Sequence, residues 1–575
     1  MKEILAAVPS PSKRVLLLRH PLLWILLVGL LAMGGALKAD FYMDDYGFIL
    51  NRNGDAPVTF NLPLAGHLYG STAPDSREVT IFQLLPTLMT ALTNHLFPMN
   101  PTAAHVWNLI IHLTLSLMIF GLGRRCLGQM QVLGSRQARE QAALVGALLF
   151  ACHPLGTEPV HYAKCHMVQL VAMFGFWATC EAVSFLDTPN KRTGLRLLLA
   201  SFLCMLSYFP GTVLLGFNLL VVAVFKLRGK QTEKWTFSLS FQAALRRPAV
   251  IGGLLLLFGL GIYAISFFLP RFYASMTAWG DFSNMHIATQ GRVFWEYVQR
   301  LLVPIALSSD HYQPWSTFRH SEAVLKLMLM AGLLFAGIAL AMGRRFGAKR
   351  GLGLLLLLAL IPFSIRLLYV NAEIMVEYRA YSALPWAGLL AGCGLTALAD
   401  HLARRGVLHL RWVPSAAIIL IFTLLSAARG TIWQSSIALA EDALSQYPLN
   451  NRPRNQLQYY NFHAGRYAAV LELHLEALGI LSKIDAANAQ TKGTVLIDCL
   501  RANTNVISSF QLAIYSRAEL EGRLKALAFA DQSITSLKAV RPEWFVVGPG
   551  NPKTFMWPVA EARAAVNRMQ FPEMR

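Results

Sequence analysis

Charge is scarce in this chain, and acidic charge is the scarcest. Only 14% of its 575 residues are Asp, Glu, Lys or Arg, against about 25% in soluble globular domains. Acidic residues number 31 and basic residues 51, a formal net charge of +20. With 55% hydrophobic residues, such a chain is neither disordered nor fibrous. There are seven cysteines and no CxxC pair, which excludes a zinc ribbon and a disulfide-stapled secreted domain. Cys126, Cys152, Cys165, Cys180, Cys204 and Cys393 lie in or beside apolar runs and read as small buried hydrophobes. Cys499 alone sits in a polar segment. The chain also lacks an Asn-x-Ser/Thr acceptor site and a retention signal, which points to a bacterial inner membrane.

What is present is apolar length. Mean hydropathy is +0.44. A helix needs about 20 apolar residues to cross the hydrocarbon core. Runs of that kind fall near 21–38, 104–122, 142–160, 166–186, 195–209, 211–226, 249–269, 323–342, 352–370, 382–399 and 412–428. The expectation is therefore an all-α polytopic membrane protein of roughly eleven transmembrane helices. The first run follows Lys13, Arg14 and Arg19 and has no small-residue cleavage site, so it reads as a retained anchor.

Basic residues then set the topology, because cytoplasmic loops collect Lys and Arg. One set of loops carries Arg124, Arg125, Arg136 and Arg139, then Lys191, Arg192 and Arg196, then Lys226 to Arg247. The same set continues with Arg344 to Arg350 and Arg404 to Arg411. The alternate loops are poorer. The N-terminus is thus expected in the cytoplasm, with loops 39–103, 153–165, 270–322 and 371–381 outward. The basic excess belongs to these loops, and no nucleic acid is expected as a partner.

Residues 1–428 form the expected membrane domain and 429–575 a soluble outward tail. The tail has mixed charge and helical periodicity. A helix ends near Tyr447-Pro448, and an αα-hairpin turns at Gly465-Arg466. The spacing is close to a tetratricopeptide repeat, whose period is about 34 residues. The expectation is a small, helical, repeat-like domain.

The outward loops carry chemistry. The first opens with Phe41-Tyr42-Met43-Asp44-Asp45-Tyr46, two adjacent carboxylates among aromatics just past a span. An ionisable residue at this depth is costly and marks function by default. An Asp at a dry interface can take a proton from an acceptor hydroxyl, and a helix cap or solvated turn uses the same residues. The second outward loop runs from His153-Pro154 through Glu158, His161 and Lys164 to His166. Its spacing fits no zinc signature, and no metal ligands are assigned. Two readings fit it: a basic cradle for a phosphate, or interfacial side chains snorkelling to headgroups. Arg292 lies on an amphipathic stretch that ends near Asp310, and Glu377-Tyr378-Arg379-Ala380-Tyr381 joins two spans. All these residues fall on one membrane face in the expected topology.

The motifs occur in a telling order. His105-Val106-Trp107-Asn108-Leu109-Ile110-Ile111-His112 comes first, then His153-Pro154 with Thr157-Glu158. Leu301-Leu302-Val303-Pro304 with Ser308-Ser309-Asp310 follows, then Glu377 to Tyr381. In this order the chain resembles the transmembrane tetratricopeptide-repeat O-mannosyltransferases and their bacterial relatives, glycosyltransferases of the GT-C class. It departs from them at His166, where the family often has Arg. It departs also at Glu377-Tyr378-Arg379, where the family often has Glu-Arg before the Tyr. Ser207-Tyr208-Phe209 replaces a Ser-Lys-Glu element.

The resemblance implies a GT-C transmembrane bundle with a repeat-like tail. It implies a transferase that moves a sugar from a polyprenyl-phosphate carrier to an acceptor hydroxyl on a protein or glycan. Asp44 or Asp45 would be the base, in an inverting displacement. Lys164, His166, Arg292 and Arg379 would hold the leaving phosphate. His153, Glu158, Asp310, Glu377 and Tyr381 would support them. No cofactor is required, since Arg and Lys can match a monophosphate leaving group; a divalent metal is compatible with the site. Two rival readings are a flippase for a lipid-linked glycan and a non-catalytic scaffold. The flippase would use intramembrane charges such as Glu181 and Arg366.

Overall fold

A computed structural model describes residues 20–42, 45, 83–230, 282–314, 316–343, 349–364, 374–488 and 513–517, with scattered positions up to 535. Those residues form helices and turns and no strand, as an all-α polytopic membrane protein requires. The chain divides into two compact units. One comprises 1–307, 316–370 and 376–434; the other comprises 308–315, 371–375 and 435–575.

In the first unit, α1 (Pro21–Met33) runs into a 3-10 turn, Gly34–Lys38. Then come α2 (Leu84–Leu96), α3 (Pro101–Gln129), α4 (Arg136–Cys152) and the short α5 (Thr157–His161). They are followed by α6 (His166–Asp187), α7 (Lys191–Met205), α8 (Phe209–Lys230) and α9 (Phe282–Leu302). The last are α10 (Ser321–Met342), α11 (Lys349–Ser364), α12 (Leu384–Arg404) and α13 (Val413–Ile432). Each expected span overlaps one of these helices, except 249–269, which lies outside the described residues. Among the described residues five helices, counting short turns that extend them, are long and apolar enough to cross a bilayer unaided, or six if a bent pair is one span.

Local chemistry explains the boundaries. Asn100, Ser135 and Asn190 cap α3, α4 and α7, each side-chain oxygen accepting a backbone N–H three residues on. Pro21 and Pro101 sit in the first turns of α1 and α3, where the missing N–H costs nothing. The run 142–160 does not continue as one straight helix. It bends by 55° where α4 stops at Cys152 and a turned segment begins at Pro154, because proline cannot extend the ladder of α4. The bend carries residues 153–166 across the end of the bundle.

The helices bury small residues between them and leave large apolar ones outside. α4 and α12 pack closely, and Gly146 lies against Gly388: a Cβ on Gly146 would stand 2.7 Å from the Gly388 carbonyl oxygen. Small residues allow such approach in a lipid environment. Ala32, Met33, Ala36, Leu109, Cys152 and Val160 form one core, and Val171, Ala178, Ala200, Cys204 and Leu215 another. The six described cysteines are all free and buried, as read from sequence. Leu30 and Leu31 of α1, Met328 and Phe335 of α10 and Leu420 and Leu424 of α13 are exposed, as lipid-facing residues are.

The second unit contains α14 (Ser436–Gln446), α15 (Asn451–His463) and α16 (Tyr467–Asn488). α14 ends just before Tyr447-Pro448. Gly465 makes the turn between α15 and α16 at φ +71°, a conformation glycine adopts without strain. Residues 308–315 belong to this unit: His311 Nδ1 meets the Tyr447 hydroxyl at 2.9 Å.

Candidate active site

The polar face of α3 organises one end of the first unit. His105, Asn108, His112 and Ser116 recur at helical spacing, and each is fully buried. Asn108 Nδ2 donates to the carbonyls of Tyr162 at 2.7 Å and Pro159 at 3.2 Å. It thereby tethers the segment after the bend. His112 Nε2 donates to the Ala151 carbonyl at 3.1 Å, and its Nδ1 accepts from the Tyr381 hydroxyl at 2.8 Å. A carbonyl only accepts, so Nε2 carries a proton. Sequence reading had not assigned Asn108 or His112 to the site. Their signal was a polar stripe inside an apolar span.

Asp45 sits beside this segment with no exposed surface. The Tyr42 N–H donates to its Oδ2 at 2.9 Å and the Lys164 N–H to its Oδ1 at 2.7 Å, while the Ala163 amide also faces it. Burial pushes the carboxyl up from its ordinary 3.8 to about 7, against the pull of those amides and the Lys164 charge. Tyr42 packs edge-on against Tyr162 and Trp433, with centroids 5.8 Å away in both cases, which closes the hydrophobic side of the pocket. Asp44 lies outside the described residues.

Glu158 plays the same part on the other side. It is buried, and its Oε2 accepts the Tyr378 N–H at 2.7 Å. The bond pins a 3-10 turn, Glu377–Ser382, that also carries Arg379 and Tyr381. Arg379 lies against the Tyr378 ring, 5.9 Å from its centroid. With Tyr378 and Ser382 it lines a cavity of about 60 Å³ whose other walls are Val168, Val171 and Leu214. A single cation at the edge of an apolar slot suits an amphiphile with an anionic head.

The remaining expected residues are engaged elsewhere. His153 is a hinge: its Nδ1 accepts the Leu155 N–H at 3.2 Å and its Nε2 donates to the Leu301 carbonyl at 3.0 Å. His166 is buried with both ring nitrogens on carbonyls, Ala163 at 2.6 Å and Pro86 at 3.1 Å. Arg292 donates to the Ser316 hydroxyl at 2.6 Å. Glu377 is buried at the start of its turn. Asp310 belongs to the second unit, where its carboxylate lies 3.4 Å from Arg452 Nε. The structure therefore joins Asp45, Lys164, Glu158, Tyr378 and Arg379 through one short segment, and places His153, His166, Arg292 and Asp310 on other partners. No group of three or more His, Cys, Asp or Glu among the described residues could hold a metal ion. Glu181, an intramembrane charge that a flippase would need, is held by Arg125 at 3.4 Å and Arg196 at 3.9 Å. Arg366 lies outside the described residues.

No family model matches the chain. No curated protein matches it. Among solved structures it is similar to the crystal structure of ArnT from Cupriavidus metallidurans bound to undecaprenyl phosphate, at 15% identity and a TM-score of 0.38. That likeness covers 89% of this chain and 79% of the other. So loose an alignment fixes no correspondence between residues.

Proposed function

We propose that this chain is an integral-membrane glycosyltransferase of the GT-C type, which moves a sugar from a polyprenyl-phosphate carrier to an acceptor hydroxyl. One observation carries the reading: carboxylates from two loops grip the main chain at or beside two cationic residues, and one of these, Arg379, lines an apolar slot. Asp45 binds the amide of Lys164 itself. Glu158 binds the amide of Tyr378, next to Arg379. Such preorganisation is what a leaving phosphate needs, because fixed charges cost no rearrangement as the bond breaks.

Roles follow from accessibility. Asp45 has no exposed surface and meets backbone amides on both oxygens, so it positions the loop. Asp44, its neighbour in sequence, is the general base in this reading. It takes the acceptor O–H proton while the acceptor oxygen forms its bond to the anomeric carbon. The bond from that carbon to the carrier phosphate breaks from the opposite side, its electron pair stays on the phosphate oxygen, and the configuration inverts. Lys164 and Arg379 offset the charge that grows there. The slot beside Arg379 receives the first part of the lipid tail. The membrane is a bacterial inner membrane with the N-terminus in the cytoplasm. The repeat-like tail is periplasmic, and its likeness in spacing to a tetratricopeptide repeat favours a protein acceptor.

The test is mass spectrometry of envelope proteins and glycolipids from cells with the wild-type gene, without it, and with single variants. Asp44→Asn is expected to lower sugar transfer by about a hundredfold or more at wild-type protein abundance. Unchanged glycan output from Asp44→Asn refutes the assignment of the base. Unchanged output in cells lacking the gene refutes the transferase.

A further inference from the structure

The far end of α3 holds a second cavity. Its volume is about 400 Å³, and its walls include Arg124, Arg125 and Gln129 of α3 and Arg136, Arg139 and Glu140 of α4. Asn108 and Arg125 are seventeen residues apart on one helix, so about 25 Å separates this cavity from the tether of the candidate active site. Four guanidinium groups meet one carboxylate. Glu140 lies 3.0 Å from Arg136 and 4.0 Å from Arg124. Arg125 turns to buried Glu181 at 3.4 Å. Arg139 makes no ion pair among the described residues.

Among the described residues Glu140 and Glu181 are the carboxylates paired with these arginines, so positive charge is left in excess. α4 begins at this cavity, with Ser135 as its cap and no acidic residue in its first turn. The positive end of the helix dipole therefore adds to the arginines. Like charges so placed repel, and a bound anion removes the cost. Guanidinium forks match phosphate oxygens in pairs. The position selects the source of that phosphate. α3 is 29 residues long and apolar enough to cross a bilayer, so its end lies at headgroup depth.

We propose that the arginine-lined cavity between the end of α3 and the start of α4 binds the phosphate of an anionic phospholipid headgroup, on the membrane face opposite the candidate active site. The lipid closes the gap between the two helix ends and fixes α4, whose other end bends into the segment that carries Glu158 and that Asp45 holds. The site is independent of the transferase reading.

Full-length protein in phosphatidylcholine nanodiscs is the material for the test, with phosphatidylglycerol added and bound lipid counted by native mass spectrometry. Wild type is expected to retain phosphatidylglycerol over phosphatidylcholine and to unfold at a higher temperature in its presence. Each arginine removed should lower that preference by about fivefold. Arg139→Gln is the first variant, since its side chain holds no ion pair among the described residues; Arg136→Gln with Arg139→Gln is the second. Equal retention by wild type and Arg139→Gln overturns the proposal. So does full reproduction of the thermal shift by millimolar inorganic phosphate, which would mark a soluble phosphate instead of a lipid.

Discussion

Asp45 shows how one carboxyl is made to serve the main chain. It loses all hydration, which alone would make its charge costly, and regains part of the cost through amides of Tyr42, Ala163 and Lys164. Its pKa of about 7 lies above the ordinary 3.8. The folded protein thus takes up a proton as pH falls through 7, while the unfolded chain does so only near 3.8. The group favours folding most below that lower value and loses the contribution as pH rises through 7. Asp45→Asn replaces one acceptor oxygen with a donor that opposes a backbone N–H, and should cost roughly 1–3 kcal/mol. Melting in detergent from pH 5 to pH 8 checks both statements: the advantage of wild type over Asp45→Asn should shrink toward pH 8, and a widening gap contradicts the account. The Asp pair was visible in sequence because acids past a span are rare. Which oxygen meets which amide was not, since Lys164 lies 119 residues away.

At the scale of elements, the spans were legible because apolar length alone specifies them. Pro154 announced the broken helix, and the structure places the bend just before it. The stripe on α3 carried a signal that span-counting discards: polar residues at helical spacing inside an apolar run. Its function depends on the partner, and the partner is a set of carbonyls freed by the bend. Asn108→Leu removes the donor from the carbonyls of Pro159 and Tyr162. Each orphaned group costs about 1–3 kcal/mol. The variant should melt several degrees lower and, under the transferase reading, lose sugar transfer together with stability. His112→Phe should keep the stacking on Phe150, now 4.9 Å between centroids, but strand the Tyr381 hydroxyl. Normal melting of Asn108→Leu would show that the segment after the bend is held by other bonds.

At the scale of the whole molecule, the +20 charge is the property that sets orientation. Arg136 and the exposed Ser135 belong to a loop assigned to the cytoplasm, and the six described cysteines are buried, so background labelling at those positions is low. A cysteine introduced at Ser135 should react with a membrane-impermeant maleimide only after the cytoplasmic side is opened. Labelling of intact cells would invert the topology and remove the outward site. The division of the chain was only partly legible. Residues 308–315 read as part of an outward loop of the membrane domain, yet they fold with the tail because Asp310 and His311 find Arg452 and Tyr447 there. Pairings of such sequence separation leave no local periodicity. The grip of Asp45 and Glu158 on peptide groups has a practical corollary. The two bonds to the amides of 164 and 378 survive exchange of the side chains there, because the acids hold what every residue but proline supplies. Under the transferase reading, Lys164→Arg or Lys164→His thus offers a route to retuned carrier preference with both main-chain bonds kept.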